Sequence, residues 1–218
     1  MIILCGFAAS NYYNKVKLVL LEKKIEFKEK LVWTDRSSVL LKKSPLGKIP
    51  YFEIGNEILC ESQVMVDYLE STFTKFPLLP FDSLIAAKIR HLIFFMEIYL
   101  ELVIRELYSE AFFGEKVDEN YKLKIKNKLI KNLTIFNKYV KYSPYIFGEK
   151  FTMADCAAAV HLPVIRLAIK KVFKNDFFDT SALDNYLNFI NERHSVKKVI
   201  KDRKLNANKL KKRKAHYY

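Results

Sequence analysis

Ile2, Ile3, Leu4 and Cys5 form a short apolar run closed by Gly6, and beyond a polar loop the period changes. Val16, Val19 and Leu20 fall on one face of a helix predicted over Tyr13 to Lys24. Phe27 to Trp33 alternates as a second strand, and two strands joined by a short helical crossover favour parallel pairing. After a connection without a clear period, Tyr51, Phe52 and Ile54 predict a third strand. Gly55-Asn56 turns it back into a fourth at Glu57-Ile58-Leu59. Val64, Met65, Tyr68 and Leu69 then give the buried face of a helix over Glu61 to Phe73. The order β-α-β, connection, β-β-α is thioredoxin-like and occupies residues 1–74.

Thr74 to Asp82, TKFPLLPFD, carries two prolines and no periodicity, and reads as a linker. Beyond it the spacing is helical: Ser83 to about Phe113, Asp118 to Tyr142, Met153 to about Val172, and Ser181 to about Arg193. The expected architecture is therefore α/β plus all-α, with a helical domain over residues 82–204. Residues 205–218 have too little apolar content to pack and are expected to form a peripheral basic tail. Thr152-Met153-Ala154-Asp155 is a capping-box arrangement, which gives Asp155 a structural role. His161 in the Ala-rich helix is expected to be buried and paired, and Pro163 to kink that helix.

Half of the 218 residues are hydrophobic, enough for a packed core. No run reaches the ~18 apolar residues of a membrane span, since Asp155, His161 and Arg166 interrupt the best candidate, so a soluble protein without a membrane partner is expected. Cys5, Cys60 and Cys156 lie far apart without metal-type spacing, and are expected to be reduced core residues of a cytoplasmic protein that binds no metal. The net charge is +14, but Lys197 to Tyr218 holds ten Lys or Arg against one Asp, so +9 of it is in the last stretch. No aromatics interleave those lysines before Tyr217 and Tyr218, which argues against a nucleic-acid partner.

Pro50 stands where the third strand begins, and a proline cannot donate to a ladder, so it belongs at the strand's first residue or in a special turn. SPLGKIPYFE (Ser44 to Glu53), CESQVMVDYLE (Cys60 to Glu70) and FTMAD (Phe151 to Asp155) together make the chain resemble the cytosolic glutathione transferase family up to about Arg193. The resemblance implies that Pro50 is a cis-proline opening the third strand and that the backbone of Ile49 pairs with the cysteinyl part of glutathione, the co-substrate. Glu61 and Ser62 then hold the γ-glutamyl end, and Lys48 reaches the glycine carboxylate. A serine and the free N–H groups of a helix N-terminus suit a carboxylate, and Glu61 suits an ammonium.

The thiol must become a thiolate before it attacks, which calls for a donor and positive potential near the sulfur. The loop Phe7 to Asn14 occupies that position, and aligning Lys15-Val16-Lys17 with the family's basic-x-basic helix start puts Ser10 at the usual activating place, with Asn11 and Tyr12 as rivals. Tyr12 and Tyr108 are candidates to line an apolar pocket for the electrophile. A serine rather than a cysteine argues against thiol-disulfide exchange, and Ser10-Asn11-Tyr12-Tyr13 matches the Ser-Ser-Cys-Ser run of maleylacetoacetate isomerases only at its first residue. The resemblance further implies a homodimer engaged in detoxification. The alternative is a non-catalytic regulator resembling stringent starvation protein A, which keeps the fold and binds RNA polymerase.

Overall fold

The first apolar run forms β1 (Ile2–Gly6) of a four-stranded sheet ordered β2-β1-β3-β4, in a computed structural model that describes residues 1–178 and 180–212. Helix α1 (Asn11–Glu22) crosses to β2 (Phe27–Leu31), which pairs parallel with β1. The undefined connection contains a short helix, α2 (Ser38–Lys43). Then β3 (Tyr51–Ile54) and β4 (Glu57–Cys60) form the hairpin turned at Gly55 and Asn56, with β3 antiparallel to β1, and α3 (Ser62–Thr72) follows.

Leu4 and Phe52 stand opposite each other in the sheet, both fully buried, as are Val16, Val19 and Leu20 of α1 and Met65, Val66 and Leu69 of α3. Each such side chain contributes roughly 1.5–3 kcal/mol relative to exposure. The expected face of α3 is shifted slightly: Val64 is half exposed and Val66 takes its place in the core. Strand residues alternate in direction. Cys5 and Tyr51 accordingly pack on the other side of the sheet against Leu40 of α2, with Ile3, Ile58 and Cys60 around them.

The contacts divide the chain into two compact units, one of residues 1–78 with 192 onward, the other of 79–191. In the second unit, α4 (Ser83–Phe94) starts under Asp82, whose carboxylate accepts from the N–H groups of Leu84 and Ile85 at 2.9 Å. The single helix expected to about Phe113 is broken. A π-helical segment spans Phe95–Glu101, followed by α5 (Leu102–Arg105) and α6 (Tyr108–Phe113). The widened turn carries two acids into the interior: Glu97 meets the buried His161 at 3.1 Å, as expected for a paired histidine, and Glu101 meets Arg105. A π-bulge is a common way for a helix to present side chains that a regular turn would misplace.

Helix α7 (Glu119–Phe136) stops short of Tyr142, and α8 (Met153–Phe173) is continuous through Pro163. The capping box is present. Asp155 accepts from the Thr152 N–H at 2.8 Å, the Ile146 N–H at 2.9 Å and the Tyr186 hydroxyl at 2.9 Å. Tyr186 lies on α9 (Thr180–Asn191), and Arg166 of α8 ties the same helix in through Asp184 while bonding Asp176 at 2.6 Å.

Residues 194–204, expected to belong with the helical domain, pack instead in the first unit as the start of α10 (His194–Lys212). Residues 205–212 of the expected tail continue this helix, while 213–218 lie outside the described residues. Helix α10 packs along α1: Val196 and Val199 are buried, and Arg193, just before the helix, clasps Glu22 at 2.6 Å. Low overall hydropathy concealed this docking, because the buried face is narrow and is completed by ion pairs.

Candidate functional site

Register brings the predicted site residues of the first unit to one end of the sheet. Cys5, Tyr51 and Cys60 are direct partners across β1, β3 and β4. The loop after β1 with Ser10, the segment Lys48-Ile49-Pro50 before β3, and the Glu61-Ser62 pair after β4 therefore leave the sheet side by side. Gly6 permits their close approach: at φ +146, a Cβ there would stand 2.7 Å from the Tyr13 ring and 3.4 Å from Ile49 Cβ.

Ser10 is the N-cap of α1, with extended backbone at φ −76 and ψ 127. Its Oγ accepts from the Tyr13 N–H at 3.3 Å, and its own N–H donates to Phe7 O at 3.1 Å. An oxygen used as acceptor in this way still has its proton to donate, and it sits at the positive end of a helix. The rival Asn11 is buried in the first turn, while Tyr12 is half-buried with the Lys15 ammonium 6.0 Å from its ring centre.

Both lysines of the basic-x-basic pattern are buried. Lys15 donates to Gln63 Oε1 at 3.2 Å, which links α1 to the first turn of α3 beside Ser62. Lys17 lies between Glu29 of β2 at 2.7 Å and Asp202 of α10 at 2.8 Å. Glu29 faces α1 because it stands opposite Leu4 in the sheet, and it also accepts from the Tyr13 hydroxyl at 2.6 Å. Burial, reinforced by Glu29, pushes the Tyr13 phenol far above its ordinary range, so it remains a neutral donor.

The peptide just before Ser10 is held from two helices. Asn14 Nδ2 donates to Ala8 O at 2.8 Å, and Asn206 Oδ1 accepts from the Ala9 N–H at 3.2 Å. Asn14 is fully buried and its Oδ1 has no hydrogen-bond partner among the described residues. Such an orphan acceptor costs roughly 1–3 kcal/mol, so the contact to Ala8 is retained at some expense of stability.

On the other side of the site, Ile49-Pro50 is a cis peptide, and Ser44 Oγ accepts from the Lys48 N–H at 3.2 Å. The Lys48 ammonium is exposed, and the N–H and C=O of Ile49 make no hydrogen bond among the described residues. Glu61, the N-cap of α3, is exposed, has φ 67 and ψ 113, and makes no side-chain hydrogen bond that caps its helix. Ser62 is buried at the first position of α3. Left-handed backbone at a residue with a Cβ stores roughly 1–3 kcal/mol of strain and concentrates at functional sites.

Tyr108, the other aromatic singled out in the sequence, lies in the second unit, where its hydroxyl donates to Glu101 at 3.2 Å and its ring receives the Arg105 guanidinium at 5.1 Å. Among the described residues no group of three or more His, Cys, Asp or Glu is placed to hold a metal ion, and no helix is long and apolar enough to cross a membrane. Sequence reasoning missed Asn14, Glu29, Asp202 and Asn206. The charged pattern Lys15-Val16-Lys17 within a helix that also packs apolar residues was the available signal for Glu29 and Asp202.

The arrangement offers unpaired peptide groups, a helix N-terminus beside a carboxylate, and a hydroxyl at a second helix N-terminus. Residues 4–76 match the family model described as glutathione S-transferase, N-terminal domain, and residues 90–177 match the glutathione S-transferase, C-terminal domain. A glutathione S-transferase of Pseudomonas putida is 37% identical over 177 residues, covering 81% of this chain and 80% of that protein. The crystal structure of glutathione transferase F2 from Populus trichocarpa superposes with a TM-score of 0.78 at 23% identity, over 94% of this chain and 100% of that one. A stringent starvation protein A homolog of Histophilus somni is more distant, 25% identical over 149 residues, 68% of this chain and 67% of that protein. With both halves matched in order and a 37% identical relative over most of its length, the chain belongs to the glutathione S-transferase family.

Proposed function

We propose that this glutathione transferase binds glutathione along the sheet end described above and activates its thiol with Ser10, for addition to an apolar electrophile that meets the Tyr12 side of the loop. The observation that carries the reading is the pairing of an uncapped, strained Glu61 with the buried Ser62 at the start of α3: an exposed carboxylate for the γ-glutamyl ammonium beside N–H groups and a hydroxyl for its carboxylate. Ile49 supplies a free N–H and C=O for an extended peptide, and Lys48 an exposed cation for the glycine carboxylate. The role of Ser10 is donation to the sulfur, which favours the ionised form and lowers the thiol pKa; Ser10 does not itself attack.

Two broader features belong to the same reading. Phe94, Ile98 and Leu102, each nearly half exposed and four residues apart, offer an apolar stripe suited to a second copy of the chain, which supports a homodimer. Three cysteines outside any disulfide suit the reducing cytoplasm, where conjugation of electrophiles serves detoxification. The regulatory alternative draws on the exposed Lys197, Lys201 and Lys204 of α10, but gives Glu61 no reason to hold its strained backbone.

The test is the pH dependence of conjugation in Ser10→Ala and Asn11→Ala. Ser10→Ala is expected to keep glutathione affinity by calorimetry, to slow conjugation at neutral pH and to move the rate profile to higher pH. A shift produced by Asn11→Ala and not by Ser10→Ala would transfer the activating role to Asn11.

A further inference from the structure

The Ala8 C=O and the Ala9 N–H belong to one peptide unit, and each of its two polar ends is held by a different asparagine. Asn14 reaches it from α1, the helix that Ser10 caps, and Asn206 from α10, the last described helix. The next residue is Ser10, whose N–H closes the turn on Phe7 O. A peptide plane fixed at both polar ends leaves little freedom in the direction of the residue that follows, since only two soft dihedrals separate them.

We propose that Asn206, with Asn14, is a positioning residue for the thiol-activating hydroxyl: α10 is an added strut whose last contact sets the plane of the Ala8–Ala9 peptide and through it the aim of Ser10 Oγ. This rests on the reading of Ser10 given above. Asn206 lies beyond residue 177, where the match to the family's C-terminal domain ends. Two further ties on the same helix place it. Arg193 and Ser195 hold its start on Glu22, and Asp202 holds its middle on Lys17, so Asn206 arrives at the loop from a helix already fastened to α1.

Asn206→Ala removes the acceptor and leaves a better helix former in its place, so α10 itself is not weakened. Asn206→Asp keeps an oxygen acceptor. Amide exchange of Ala9, followed by NMR in the full chain, reads the clamp directly: faster exchange in Asn206→Ala and protection kept in Asn206→Asp are expected. Conjugation reads its consequence. Asn206→Ala is expected to lower kcat by roughly tenfold at pH 7, with the alkaline shift seen for Ser10→Ala and little change in KM for glutathione, because misplaced catalytic groups slow the chemistry without loosening a substrate held elsewhere. Asn206→Asp is expected to restore most of the rate.

Unchanged Ala9 exchange in Asn206→Ala would overturn the clamp. Faster exchange with a wild-type pH profile, while Ser10→Ala does shift, would overturn its role in positioning. A wild-type profile in Ser10→Ala itself would overturn the reading of Ser10, and this inference with it, whatever Ala9 does.

Discussion

Asp202 of α10 accepts from Lys17 of α1 at 2.8 Å, and the lysine that donates is almost completely buried. Burial alone would raise the Asp202 carboxyl, but the Lys17 hydrogen bond and charge, with Lys198, outweigh it and hold the group below its ordinary range. A carboxyl lowered in the folded state gives stability that is complete above the unfolded pKa of about 3.9 and is lost as pH falls through the folded value. Asp202→Asn is thus expected to cost about 2 kcal/mol at pH 7, less than a fully buried pair because Glu29 still holds Lys17. Urea unfolding from pH 7 down to pH 3 checks this: the gap between wild type and variant should hold down to about pH 4 and narrow progressively below it.

Asp155, fully buried, is a carboxylate whose value lies in the groups it satisfies. Burial raises it, opposed by hydrogen bonds from Ile146, Thr152 and Tyr186. Asp155→Ala would leave those buried donors without an acceptor, at an expected cost of about 3 kcal/mol in thermal or urea unfolding. Because the residue belongs to the second unit's frame, folded Asp155→Ala should keep its glutathione affinity. A matching loss of affinity would make the residue functional after all.

The cysteines provide a chemical test of the core. Burial, with Glu53 adding to it, pushes the Cys5 thiol up to about 11, and burial also raises Cys60. Cys5 lies under Leu40 and Tyr51, and Cys156 is fully buried. At pH 8 Cys5 stays protonated and Cys156 has no reachable surface, so an aromatic disulfide reagent should modify Cys60 alone, and that slowly. Mass mapping of the labelled sites before and after urea decides it; rapid labelling of Cys5 in the native protein would mean that α2 opens readily.

Much of the sheet was legible because its signals are local: alternation and a short crossover give β1 and β2 as a parallel pair and one Gly-Asn turn gives the β3-β4 hairpin, whereas the antiparallel pairing of β3 with β1 has no local signal. Ser10, Ile49, Glu61 and Ser62 could be proposed from the sequence for the same local reason, since they flank the predicted strands. What escaped the sequence was long-range. Asn206 touches Ala9 across 197 residues, and Asp202 meets Lys17 across 185. Nothing in a lysine-rich stretch of low hydropathy announces that its single acid and one of its asparagines are among the residues that dock it. The π segment at Phe95–Glu101 escaped for a related reason, since Glu97 within it pairs with His161, on a helix far along the chain.

Glu61 separates binding from stability within one residue. Glu61→Ala removes the carboxylate proposed for the γ-glutamyl ammonium but keeps a Cβ at φ 67, so the strain remains. Glu61→Gly removes the carboxylate and the Cβ together, and glycine is also the better N-cap of the two. Both variants are expected to weaken glutathione by ~1–3 kcal/mol in calorimetry, and Ser62→Ala by a similar amount, because charged ligand groups lose their partners. The two Glu61 variants should nevertheless differ in unfolding, with Glu61→Gly more stable than Glu61→Ala by about 1 kcal/mol. If both bind glutathione like wild type, the strained carboxylate serves no ligand and the proposed site fails. If they bind equally weakly but unfold alike, the site stands and the left-handed backbone at residue 61 is not where the strain lies.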